Sequence, residues 1–241
     1  MKKTILFMSL STYLLFSATT EQINQYLSLS HSEQQVIALE QVFDSMREKQ
    51  ETEENNESTS QVSIVYQEYL EEHLSSNEIE KVLTLYRQPT MSRYTSEIKN
   101  FSINEEDMNA FLESLKEEPL LTEREEIVEN IIDVLINEKL QLNFYRSMMQ
   151  RYQKKNEENN SSKITSREKS YIESMKKSAK EHLLYGTQVF SMEEIKELKE
   201  SIGSSIFQKV KEVENEALVK IMNNYIQGIV SKPKKEKEEK K

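Results

Sequence analysis

Cysteine is absent from the 241 residues. That excludes a disulfide framework, a thiolate metal site, a cysteine nucleophile and a lipid anchor on an N-terminal cysteine. Glycine and proline occur three times each, as Gly186, Gly203, Gly228 and Pro89, Pro119, Pro233. Hairpins and parallel-sheet connections depend on such residues, whereas helices joined by polar turns do not. The chain is therefore read as all-α. Histidine is equally scarce: His31, His73 and His182, none in a His-Glu-x-x-His pattern. Glu72-His73 and Glu181-His182 are sequence neighbours, so on a helix they diverge by about 100° and cannot chelate together. No glycine-rich phosphate loop, nucleophile elbow or zinc ribbon is present. Catalytic residues, metal ligands and cofactors are accordingly expected to be none, and the chain is not read as an enzyme.

Positive charge is the minority sign. Lysine and arginine number 32 against 42 acidic residues, a formal net charge of −10. Such a chain has no electrostatic footprint for nucleic acid or anionic lipid. The lysine-rich end, 231–241, is interleaved with glutamate and reads as a solvated, disordered tail.

One apolar run stands out, at the N-terminus. Lys2 and Lys3 form a basic start, Ile5 to Phe16 a short apolar stretch, and Ser17-Ala18 a small-residue cleavage site. Spanning a bilayer takes roughly 20 apolar residues, which this stretch lacks. Residues 1–18 thus read as a secretory signal cleaved near Ala18, which sends the protein to the periplasm. Losing Lys2 and Lys3 takes the formal charge from −10 to −12. No integral membrane segment is expected after cleavage.

The most telling positive feature is an internal echo. Leu74-Ser75-Ser76-Asn77-Glu78-Ile79 recurs as Phe190-Ser191-Met192-Glu193-Glu194-Ile195, and Val82, Leu85 and Tyr86 fall on Leu198, Ser201 and Ile202. Upstream, Glu53-Glu54-Asn55-Asn56-Glu57-Ser58 is echoed by Glu157-Glu158-Asn159-Asn160-Ser161-Ser162. Two related helical bundles by internal duplication are the expectation, with repeat units at 19–101 and 102–230.

Helix starts are marked by capping boxes, in which a Ser or Thr and a Glu or Gln three residues on satisfy each other's backbone N–H groups. They occur at Ser32/Gln35, Ser75/Glu78, Ser102/Glu105, Thr122/Glu125, Thr165/Glu168 and Ser191/Glu194. Helices are expected over 21–29, 33–50, 61–73, 76–88, 90–99, 103–117, 123–155, 166–186, 192–202 and 205–230. The longest, about 123–155, carries Val128, Leu135, Leu142 and Met149 at heptad spacing. That stripe looks like a coiled-coil seam interrupted by Glu138-Lys139, although an ordinary bundle core explains it better.

The first echo carries a resemblance. Leu74-Ser75-x-x-Glu78-Ile79-x-x-Val82-x-x-Leu85-Tyr86-x-x-Pro89-x-Met91-x-Arg93 resembles the signature of the bacterial domain of unknown function 2059 family. The resemblance covers Gln61–Phe101 best and Ser191–Gly228 more weakly. It implies a small, all-helical, exported protein with no established activity, and Glu78, Leu85, Tyr86, Pro89 and Arg93 as structural signature positions. Met91 and Gln88 depart from the usual Gly and Ser, and Gly203-Ser204-Ser205 replaces the proline turn in the second copy. A helix–break–helix with buried apolar side chains survives in both copies, while no polar constellation does.

Two features remain as candidate sites. Tyr145, Met148, Met149 and Tyr152 cluster late in the long helix and could face a partner, as pliant Met-rich surfaces do, though helical spacing makes most of them core. Asn56 and Asn160 each sit in an acidic-x-Asn-x-Ser pattern, the extended bacterial glycosylation signature. The function expected is a non-catalytic interaction module binding an envelope protein or itself. The alternative is a chaperone-like holder of exported chains, distinguished by a broad client range. A hydrolase with an unrecognised site is third; a bound metal, or activity lost on His182→Ala, would mark it.

Overall fold

The computed structural model describes residues 17–48, 59–100, 104–117, 119–152 and 165–230. These form eleven helices: α1 (Thr20–Ser30), α2 (Ser32–Glu48), α3 (Thr59–His73), α4 (Ser76–Tyr86), α5 (Pro89–Asn100), α6 (Glu105–Leu115), α7 (Leu121–Leu135), α8 (Glu138–Tyr152), α9 (Ser166–Gly186), α10 (Met192–Gly203) and α11 (Ser205–Val230). There is no strand among the described residues, only an isolated antiparallel bridge between Ser17 and Ser75. The fold is all-α.

Capping chemistry sets many of the boundaries. Ser75/Glu78, Thr165/Glu168 and Ser191/Glu194 form reciprocal capping boxes at α4, α9 and α10. Thr19/Gln22 forms a further one at α1 that the sequence reading did not single out. Two expected boxes give way. α6 is capped by Asn104, whose side chain accepts from Glu106 N at 3.0 Å, rather than by Ser102, which lies outside the described residues. α7 starts at Leu121 without a side-chain cap, which puts Thr122 inside its first turn rather than at the N-cap; the Glu125 carboxylate lies 3.2 Å from the Lys180 ammonium.

The single long helix expected over 123–155 is two helices. Ile136 is extended (φ −95°, ψ 110°) and ends α7. The Asn137 side chain then accepts from Leu140 N at 3.0 Å, which is N-cap chemistry inside an apolar periodic stretch. A matching break separates α1 from α2, where His31 takes a left-handed conformation (φ 57°). Elsewhere Pro89 opens α5, as expected of a residue without an N–H to donate, and Ser204 divides α10 from α11.

Packing ties the halves into one core. A single cluster of buried side chains runs from Ala18, Ile23 and Tyr26 through Ile79, Val82 and Met91 to Ile195, Leu198, Phe207 and Ile221. Within the first half α1 packs on α3 and α4, and α2 on α3; within the second, α7 packs on α9 and α10, and α8 on α9. Between the halves the contacts are reciprocal. α5 lies on α10 while α11 lies on α4 and continues along α3; within the second half α6 covers α9. Burial follows the echo: Ile79 and Ile195, Val82 and Leu198, Leu85 and Ser201, Tyr86 and Ile202, and Met91 and Phe207 are all buried.

Candidate functional site

A line of polar side chains runs along the seam between the two helix–break–helix segments. Arg93 on α5 reaches across to α10, where its Nη1 pairs with the Glu194 carboxylate and its Nη2 donates to Val189 O at 3.1 Å. Its guanidinium lies 4.6 Å from the centre of the Phe190 ring, a cation–π contact. Glu194 meanwhile accepts from Ser191 N at 2.8 Å as the capping-box residue of α10. That backbone bond, helped by Arg93, holds its carboxyl below the usual range. Beside it, the Thr90 hydroxyl donates to Glu197 at 2.6 Å and the Ser201 hydroxyl to Gln88 at 3.3 Å. On the opposite side of the seam, burial raises the Glu78 carboxyl, but bonds from Ser75 and the charge of Lys209 outweigh it and leave the group below its ordinary value. Lys209 occupies in the second echo the place of Arg93 in the first.

A buried charged cluster fastens the first and last helices. Glu214 on α11 is 2% exposed. It accepts from the Tyr26 hydroxyl of α1 at 2.9 Å and from the Lys211 ammonium at 2.6 Å. Burial alone would push its carboxyl up; Lys211, with Ser32 and Tyr26, prevails and holds it ionised below the ordinary value. Tyr26 and Tyr66 are pushed well up, first by burial and then by the Glu214 charge, so both keep their protons. The cluster thus ties the first helix to the last through Tyr26 and balances the Glu214 charge with Lys211.

Two further buried charges work the same way. Arg124 on α7 donates through Nη2 to Thr187 O and, at 3.4 Å, to Phe190 O. It thereby satisfies the carbonyl end of α9, where a cation also suits the helix dipole. Glu168 takes Arg146 Nε at 2.6 Å and Thr165 N at 2.6 Å. The arginine hydrogen bond first, then the backbone one, brings its carboxyl down to about 2. Glu214 and Arg124 were legible in principle: each stands on the i, i+3/i+4 apolar stripe of its helix, Glu214 with Val210 and Ala217, Arg124 with Ile127 and Val128.

The signature residues named from sequence divide between the core, helix ends and the seam. Leu85 and Tyr86 are buried, with the Tyr86 ring 5.8 Å from Tyr26 and 6.2 Å from Phe207. Pro89 is exposed at the start of α5, Glu78 caps α4 and Arg93 bridges the seam. Tyr145 and Met149 are half-buried, and the Tyr145 ring packs on Tyr171 of α9 at 4.7 Å. The side chains of Met148 and Tyr152, and all of Asn56 and Asn160, lie outside the described residues.

From Tyr171 a shallow groove of about 380 Å³ runs along α9, lined by Ser174, Met175, Ser178, Ala179 and His182. A second, more polar groove of about 880 Å³ follows α1 to Arg87. Among the described residues no three histidine or carboxylate side chains converge as a metal site would require, and no helix is long and apolar enough to cross a membrane. The His73 ring stacks on Tyr69 at 3.8 Å, with Nδ1 2.8 Å from Tyr69 O. Set against known protein families, curated proteins and solved structures, the chain matches none.

Proposed function

We propose that this is an exported, periplasmic, non-catalytic interaction module built from two tandem copies of one helical unit, related to the domain of unknown function 2059 family. The reciprocal packing of α4–α5 with α10–α11 supports the tandem origin. The observation that carries the functional reading is where the polar side chains are spent. Arg93, Glu194, Thr90, Glu197, Arg124, Glu168 and Glu214 all join helix to helix. The described surface then offers the α8–α9 face, where half-buried Tyr145 and Tyr171 lead into the Met175 and Ala179 groove. Aromatic and methionine side chains on a helical face bind an amphipathic helix of an envelope protein, read at i, i+3 and i+4.

In-cell photo-crosslinking from position 175, followed by mass spectrometry, tests this. One dominant, stoichiometric adduct that disappears with Tyr145→Ala supports the module. Many unrelated exported chains would favour the chaperone-like holder instead. A chain that cross-links to nothing refutes both.

A further inference from the structure

Helix α8 is fastened differently from its neighbour α7. α7 buries Ile127, Val128, Ile131 and Ile132 in the main cluster. Among its described side chains α8 buries Leu142 alone, outside that cluster, with half-buried Leu140 and Phe144 at the cluster's margin. Its ties to α9 follow one antiparallel register. Glu138 meets Lys176 at 2.6 Å, the Tyr145 ring meets Tyr171 at 4.7 Å, and Arg146 Nε meets Glu168 at 2.6 Å. The two ends of this row differ. At the near end, Lys176 Nζ lies 2.7 Å from Asp133 in the last turn of α7 as well as 2.6 Å from Glu138 in the first turn of α8. One ammonium thus spans the break at Ile136-Asn137, where an extended residue between two helices can absorb a change of φ and ψ. At the far end Glu168 is held by its own capping box, with Thr165 N at 2.6 Å, so it is a fixed catch. Arg146, 37% exposed, is the part that can leave it.

We infer that α8 is a hinged arm that pivots at Ile136-Asn137, is steadied there by Lys176, and lifts from α9 when Arg146 and Tyr145 leave Glu168 and Tyr171. The inference rests on the interaction reading above and adds a gate to it. An element with few buried apolar contacts opens at less cost than the whole fold. With the arm down, Tyr171 to His182 offers a partner helix about 16 Å of α9, at 1.5 Å per residue. Lifting the arm bares a further turn, back to Glu168, and frees Leu142 and Tyr145 on α8. The partner then meets side chains from two helices instead of one.

Hydrogen exchange of the full-length chain, without any partner, tests the arm. Amides of α8 should exchange together and faster than those of α7 and α9. Arg146→Gln should speed α8 about fivefold further, the latch being partly solvated. Lys180→Gln, which loosens α9 from Glu125 and Glu129 of α7, should leave α8 as it was. Exchange of α8 in step with α7 and α9, or an Arg146→Gln chain in which all three speed up equally, would overturn the arm. The gate has its own readout, since Arg146→Gln should raise the yield of the adduct captured from position 175. Faster α8 exchange with an unchanged yield would overturn the gate. If position 175 captures nothing in either chain while α8 still exchanges apart, the interaction reading falls and the arm stands.

Discussion

Replacing Lys211 by methionine isolates the Glu214 carboxylate inside the core. In the native protein its two oxygens are held by Tyr26 at 2.9 Å and Lys211 at 2.6 Å, with the residue 2% exposed. Removing one partner of a buried pair costs about 3–5 kcal/mol, since the other charge is left uncompensated. The Lys211 side chain is 17% exposed, so the pair sits near the rim and the low end, about 3 kcal/mol, is expected. In a chain of this size that lowers the melting midpoint by about 6–12 °C. The pH dependence is the sharper signature. With Lys211 present the folded carboxyl titrates below its ordinary value; its contribution is complete above the unfolded pKa of about 4.3 and is lost as pH falls through the lower folded value. In Lys211→Met the lysine's charge and hydrogen bond are gone, only the bonds from Ser32 and Tyr26 are left against burial, and the folded pKa should rise above the unfolded one. The sign reverses: the contribution is complete below about 4.3 and is lost as pH rises through the new value. Urea unfolding followed by circular dichroism from acid to neutral pH should show the deficit of the variant widening as pH rises. A deficit that stays constant with pH, or a loss under about 0.5 kcal/mol, would refute the account of Glu214 as a charge held in place by Lys211.

Other outcomes follow from the same structure. Asn137→Ala removes the cap of α8 and should cost about 1 kcal/mol, with Asn130→Ala, at an exposed position of α7, near neutral in the same urea assay. Glu168→Gln should cost about 1–2 kcal/mol, discounted because Arg146 is 37% exposed. Since Glu168 titrates near 2, its contribution is present above about 4.3 and disappears as pH falls towards 2, so variant and native protein should converge in acid. Ile195→Ala, at a position with 0% exposure, should cost about 2–5 kcal/mol, whereas Val189→Ser, at 57% exposure, should unfold with the native protein. A double-mutant cycle of Arg93→Ala and Glu194→Gln should return a coupling of about 1 kcal/mol or less, because both side chains are partly solvated.

Helix type and much of the core were legible because the cues are local. A capping box needs four consecutive residues, and Ser75-x-x-Glu78 and Ser191-x-x-Glu194 state their helix starts outright. The echo also carried burial: reading Ile195 and Leu198 from Ile79 and Val82 needs only the offset. The break at Ile136-Asn137 was hidden because periodicity continues through it, with Val128 and Leu142 both buried on either side. Asparagine is tolerated in a helix, and only its bond to Leu140 N reveals it as a cap. The seam was invisible for a different reason. Arg93 and Glu194 are 101 residues apart, and nothing in either neighbourhood announces the other. The candidate surface was half legible: Tyr145 was named, but its partner Tyr171 lies on a helix that the sequence does not connect to it.

The bond between Tyr26 and Glu214 closes a loop of 188 residues. The first helix therefore cannot complete its burial until nearly the last one has been made, and contacts so distant in sequence form slowly. Under the export proposed above, which would thread the chain unfolded through a narrow channel, such lateness is protective. A chain whose N-terminal helices need the C-terminal one to finish their packing commits to its native shape only once translation is nearly complete.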